Sequence, residues 1–146
     1  MNHTLKAQRG FTLLELLIVV AVIAILASAV VANLSSARNK AYDTQVQRNL
    51  KAVSTSIEVY TSTAAPDEVK GNLENKTFNQ VVDFLKQESF LDTDTTITHP
   101  TDTTTGYQYS GSMNGASLSY TLKGKLPSQD GQCHIITNGS ARDGSC

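Results

Sequence analysis

The sequence predicts an α+β fold in which a long N-terminal helix carries a small head of antiparallel β-sheet packed on its C-terminal half. Three observations lead there. The run Leu16–Ala32 contains neither a charge nor a proline. Beyond it Val46, Leu50, Val53, Ile57 and Tyr60 recur at spacings of 4, 3, 4 and 3, which places them on one stripe of a helix. Near the C-terminus Tyr107-Gln108-Tyr109 and Leu118-Ser119-Tyr120-Thr121-Leu122 alternate apolar and polar residues, with Asn114-Gly115 between them. That pattern marks half-buried strands joined by a tight turn.

Composition bounds the function. The chain has 146 residues, 40% hydrophobic but only 6% aromatic, so one modest core is all it can build. A net charge of −1 argues against a partner held by bulk charge, and nothing indicates nucleic acid. The signs are unevenly placed. Arg38, Lys40, Arg48 and Lys51 against Asp43 make the segment after the apolar run basic, while Asp67, Glu68, Glu74, Asp83, Glu88, Asp92, Asp94 and Asp102 make the middle acidic. A basic stretch in that place suits lipid headgroups or an acidic neighbouring subunit, with a plain solvated helix face as the alternative.

Residues 1–10, MNHTLKAQRG, form a short polar leader with Lys6 and Arg9. Positive charge ahead of an apolar helix holds that end in the cytoplasm. From Phe11 to Ala32 the chain is apolar apart from Thr12, Glu15 and Ser28, about the length that crosses a bilayer. Glu15 stands out, because a carboxylate in such a segment is costly and usually has a function and a partner. Ala27-Ser28-Ala29 also fits a secretory signal-peptidase site, which would release a soluble binding protein beginning at Val30. The same small residues suit close helix packing.

The stretch Gly10-Phe11-Thr12-Leu13-Leu14-Glu15-Leu16-Leu17-Ile18-Val19 resembles the processing motif of type IV prepilins: a basic leader ending in Gly, then Phe, then a Glu shortly after. The resemblance covers residues 6–32, extends more thinly along the stem to Tyr60, and is weak over the head. It implies a structural subunit and not an enzyme, with no cofactor. A membrane-embedded prepilin peptidase would cut between Gly10 and Phe11, and Phe11 would become an N-methylated first residue. Glu15 would act in assembly by meeting the new amine of its own or a neighbouring subunit. The subunit would sit in the inner membrane as a single-pass protein in contact with lipid, then be polymerised by the pilus assembly machinery into a helical surface filament for adhesion, twitching motility or DNA uptake. A pseudopilin of a type II secretion system is the alternative. Many relatives carry a proline at the place that Ala32 holds here.

The domain boundaries follow as leader 1–10, apolar half-helix 11–32, amphipathic stem 33–65 and head 66–146. No proline or glycine occurs from Phe11 to Ala65, so one helix is expected from about Thr12 to Thr61, about 75 Å at 1.5 Å per residue, with Pro66 ending it. In the head, Phe78, Val81, Val82, Phe84 and Leu85 predict a short helix at about 77–88, and His134-Ile135-Ile136-Thr137 a third strand. Cys133 and Cys146 are the only cysteines. In an exported protein they read as a disulfide closing a terminal loop, with two free thiols as the alternative; the resemblance implies the bond. Asp92, Asp94 and Asp102 in one Thr-rich loop could offer oxygens to calcium, although their spacing fits no EF-hand, and a solvated polar loop is the plainer reading. His3, His99 and His134 are scattered and form no nucleophile or general-base pattern. Asn75-Lys76-Thr77 and Asn138-Gly139-Ser140 fit the glycosylation sequon by sequence alone.

Overall fold

The computed structural model describes residues 11–146, apart from the side chains of Ala29, Ala32 and Asn33. The leader 1–10, with Gly10, lies outside the described residues, as does the side chain at position 32. Helix α1 spans Leu13–Thr63, 51 residues, two residues beyond the expected end. Its continuity follows from the absence of helix breakers, since proline and glycine are the residues that most often interrupt a helix. The chain divides into two units between Ala37 and Arg38.

In the first unit the large apolar side chains described from Phe11 to Leu34 are 50–89% exposed. The second unit comprises α1 from Arg38 onward, α2 (Pro66–Leu73), α3 (Phe78–Gln87) and a sheet of β1 (Tyr107–Asn114), β2 (Ser117–Lys125), β3 (Gln132–Thr137) and β4 (Ser140–Ser145). The strands run in the order β1-β2-β3-β4, each antiparallel to the next. The predicted stripe is the spine of this unit: Val46, Leu50, Val53 and Ile57 are fully buried and Tyr60 nearly so. Leu122 and Ile136, paired across β2 and β3, are fully buried in the same core.

Gly124 explains how closely the sheet approaches α1. A Cβ there would come within 2.6 Å of Val46 Cγ1 and 3.0 Å of Leu50 Cδ1, so any larger residue would push strand and helix apart.

Two expectations need correction. Pro66 does not simply end the long helix; it opens α2, which the sequence reading did not anticipate. Ala65 adopts φ −68°, ψ 149°, the extended conformation that a following proline imposes. Proline then fits the first turn of the next helix because its missing N–H has no partner there anyway. The Glu68 carboxylate accepts from the Ala65 N–H at 3.4 Å. Second, the sheet has four strands, not three. Asn138 and Gly139 have φ of 46° and 81°, and Thr137 pairs with Ser140 across them. Two successive positive φ values make the turn that matches strand twist, so β4 folds straight back on β3.

Helix α3 begins one residue after the expected start, with Thr77 as its cap. The Gln80 N–H donates to Thr77 Oγ1 at 3.4 Å, and the Thr77 N–H to Gln80 Oε1 at 2.9 Å, a reciprocal box that satisfies two otherwise orphaned donors. Its buried face is Phe78, Val81, Val82 and Leu85.

Candidate assembly surface

Glu15 is the only charged residue between Phe11 and Ala37. At the start of α1 the Thr12 N–H and hydroxyl both donate to Glu15 Oε2 at 2.9 Å, and the Glu15 N–H donates to Thr12 Oγ1 at 3.2 Å. This is a second capping box, in the Thr-x-x-Glu form that the sequence displays, a role for Glu15 beside the assembly role expected from the sequence. The carboxylate is thus aimed back at the start of the helix and held there by Thr12. Around it Phe11, Leu13, Leu14, Leu16 and Leu17 are all exposed. A contiguous apolar surface of that kind is what a soluble monomer avoids.

Among the described residues no helix is long and apolar enough to cross a membrane. The expected segment 11–32 includes two of the side chains not described.

The two other carboxylates of α1 behave differently. Asp43, buried, accepts from the Ser128 N–H at 3.0 Å and from the Ser128 hydroxyl, fastening the helix to the β2–β3 loop. Glu58 Oε1 accepts from the Tyr120 hydroxyl at 3.0 Å and from Ser54 Oγ at 3.2 Å. Burial pushes the Tyr120 hydroxyl up to about 12, against the opposing pull of its Ser54 hydrogen bond. Burial also raises the Tyr109 hydroxyl well above the ordinary tyrosine value, with Tyr120 adding to it; Tyr109 donates to the Leu73 carbonyl at 2.8 Å.

Cys133 and Cys146 are bonded to each other, 13 residues apart, and tie β3 to the chain end just past β4. The Cys146 N–H donates to the Gly131 carbonyl at 3.1 Å, and Lys123 Nζ donates to the Cys146 carbonyl at 3.0 Å.

The three aspartates weighed for calcium are not brought together. Among the described residues no three His, Cys, Asp or Glu side chains are placed to hold a metal ion. Asp102 is instead occupied by Lys125 Nζ at 2.8 Å and by the Thr104 and Thr105 N–H groups and the Thr105 hydroxyl. The Lys125 ammonium, with those donors, holds its carboxyl well below the usual range. Asp92 Oδ1 accepts from the Asp94 N–H, an ordinary Asx turn.

His99 is buried, with Nδ1 accepting from the Asp102 N–H at 3.0 Å and Nε2 donating to the Lys125 carbonyl at 2.8 Å, so the ring serves as a loop strut. His134 Nδ1 lies 2.5 Å from Asp143 Oδ1 across β3 and β4. The Thr101 hydroxyl lies 3.4 Å from His99 Nδ1, on a nitrogen that already accepts from the Asp102 N–H.

Comparison with known proteins bears on the N-terminal half. The family described as "Prokaryotic N-terminal methylation motif" matches residues 5–31. The type IV wide pilus major component PilA4 of Thermus thermophilus is 55% identical over 42 residues, 29% of this chain and 32% of that protein. The type II secretion system core protein G of Klebsiella michiganensis is 40% identical over 55 residues, 38% of this chain and 39% of that one, and its counterpart in Klebsiella pneumoniae is 39% identical over 56 residues. The matches therefore span only about a third to two-fifths of these relatives' own length. No solved structure matches the chain.

Proposed function

We propose that this chain is a structural subunit of the type IV pilin and pseudopilin family, made as a prepilin that polymerises into a surface filament; the motif match at its N-terminus and the partial matches to a pilus component and to core protein G support the reading. One observation carries the reading: a helix that begins in the methylation motif exposes its large apolar side chains from Phe11 to Leu34 around a single carboxylate, Glu15. Such a surface needs lipid before assembly and other copies of itself afterwards. A peptidase of the inner membrane cuts after Gly10, Phe11 is N-methylated, and the segment 11–32 anchors the subunit until the assembly machinery extracts it. Glu15 then meets the Phe11 amine of an incoming copy. The filament serves adhesion, motility or DNA uptake.

The test separates charge from capping. Glutamine at position 15 can still complete the box with Thr12 but carries no charge. Glu15→Gln, supplied as the sole copy, is expected to accumulate in the inner membrane with few surface fibres, whereas Thr12→Ala, which loses the box and keeps the carboxylate, forms them. Wild-type fibre abundance from Glu15→Gln would reduce Glu15 to a helix cap. Mass spectrometry of the mature chain is expected to find a methylated Phe11 start; a start at Val30 refutes the processing route.

The matches to core protein G favour a second reading, a secretion pseudopilin. Deleting the chain distinguishes the two: loss of surface fibres with secretion intact supports the pilus, and blocked secretion the pseudopilus.

A further inference from the structure

We propose that the outer face of α1 at Lys40, Arg48 and Lys51 docks against Asp83, Glu88 and Asp94 of a second copy of this chain. The inference deepens the filament reading and rests on it. At 100° per residue, Lys40, Lys51 and Arg48 fall within about 80° of one another, on the side of α1 opposite the buried stripe of Val46, Leu50, Val53 and Ile57. All three are exposed. Asp83 lies on the exposed face of α3, Glu88 at its C-cap and Asp94 in the turn that follows, all exposed as well.

Neither set is neutralised within the chain. Among the described residues there are two ion pairs, Lys125 with Asp102 and His134 with Asp143, and neither involves these six. The counter-charges inside each stretch are already committed. Asp43 is buried on Ser128, and Lys86 Nζ donates to the Thr93 and Thr95 carbonyls at 3.3 and 2.6 Å. Those bonds to neutral groups leave both charges in place, so each stretch keeps a net sign: Lys40, Arg48 and Lys51 against Asp43, and Asp83, Glu88, Asp92 and Asp94 against Lys86. Opposite, unpaired patches on the same chain attract between copies and repel within like-facing pairs, which fixes orientation more than it adds affinity.

The two patches differ from each other, so the contact is heterologous. Such contacts continue into open helical polymers instead of closing a dimer. A lipid surface would engage the basic patch alone and leave the acidic one without a role; the second copy accounts for both.

The test uses the full chain as the only copy in the cell. One variant carries Arg48→Glu and Lys51→Glu, a second Asp83→Lys and Glu88→Lys, and a third all four. Each of the first two is expected to lower fibre yield roughly tenfold at unchanged subunit level, and the third to restore it, as charge swaps across one contact do. Yield that ignores all three variants, while the wild type forms fibres, removes the contact and leaves the filament reading standing. A wild type that forms no fibres removes both. If only the basic variant fails, the quadruple variant does not recover, and the subunit leaves the membrane fraction, the face binds lipid headgroups and the proposal is wrong. Should a reversed chain not accumulate, Arg48→Gln with Lys51→Gln replaces it: wild-type fibres loosening at high salt while the neutral variant's do not supports the contact, and an unchanged salt response overturns it.

Discussion

Replacing Cys133 and Cys146 together by alanine removes the one covalent brace on the weakest part of the sheet. The bond closes a loop of 13 residues' separation, for which the chain-entropy model gives about 3 kcal/mol. For a unit the size of residues 38–146 that corresponds to a fall in Tm of roughly 12 °C. The loss should not be uniform. Strand β4 has no buried residue, so apart from its ladder to β3 and the His134–Asp143 contact it is held by the Asn138-Gly139 turn at one end and the disulfide at the other. Hydrogen exchange on the detergent-solubilised chain is expected to show Arg142 and Gly144 losing protection first, while the amides of Leu122 and Ile136 follow only the global change. Alanine is the right replacement because Cys133 is buried and a serine hydroxyl would add its own desolvation cost. A Tm within a few degrees of wild type, or equal loss of protection in β1 and β4, would refute the reasoning.

Leu122→Ala, at the centre of the core, is expected to cost about 2 to 5 kcal/mol, read as a lower denaturation midpoint with an unchanged m-value. The raised hydroxyls of Tyr109 and Tyr120 make the fold alkali-sensitive: unfolded tyrosine ionises near 10, so their contribution is whole below that pH and lost as pH rises through the folded values. Tyrosinate absorbance and circular dichroism should therefore change together above pH 10, and separate transitions would contradict this. Asp102 works in the opposite direction, since its depressed folded value gives a contribution present above about pH 4 and lost as pH falls below it. Amide shifts of Thr104 and Thr105 should report that loop opening, and Asp102→Asn should remove the acid transition.

Most of the fold could be read from the sequence because it rests on periodicity. The stripe from Val46 to Tyr60 is the core's spine, and the alternation in Leu118–Leu122 is the central strand. The misses lie where local chemistry outranks period. Helix α2 is short and mostly polar, and its signal is a proline in the first turn followed by acids. Strand β4, Ser-Ala-Arg-Asp-Gly-Ser, buries nothing and so shows no alternation. Its local signal is Asn138-Gly139, a turn pair that also opens a glycosylation sequon. Asp102 could not be placed from sequence because its partner, Lys125, is 23 residues distant and reaches it only once the loop folds over β2.

The three carboxylates of α1 show why its two halves face different surroundings. Asp43 and Glu58 are satisfied by groups far along the chain, Ser128 and Tyr120, so each spends its charge fixing the helix to the head. Among the described residues Glu15 is bonded to Thr12 alone, three residues away. The cap orients its carboxylate toward the helix start but leaves the side chain exposed, with lone pairs that Thr12 alone does not exhaust. It stands in the part of the helix where every other side chain from Phe11 to Ala37 is uncharged, whereas Glu58, also exposed, is fixed to the head by Tyr120.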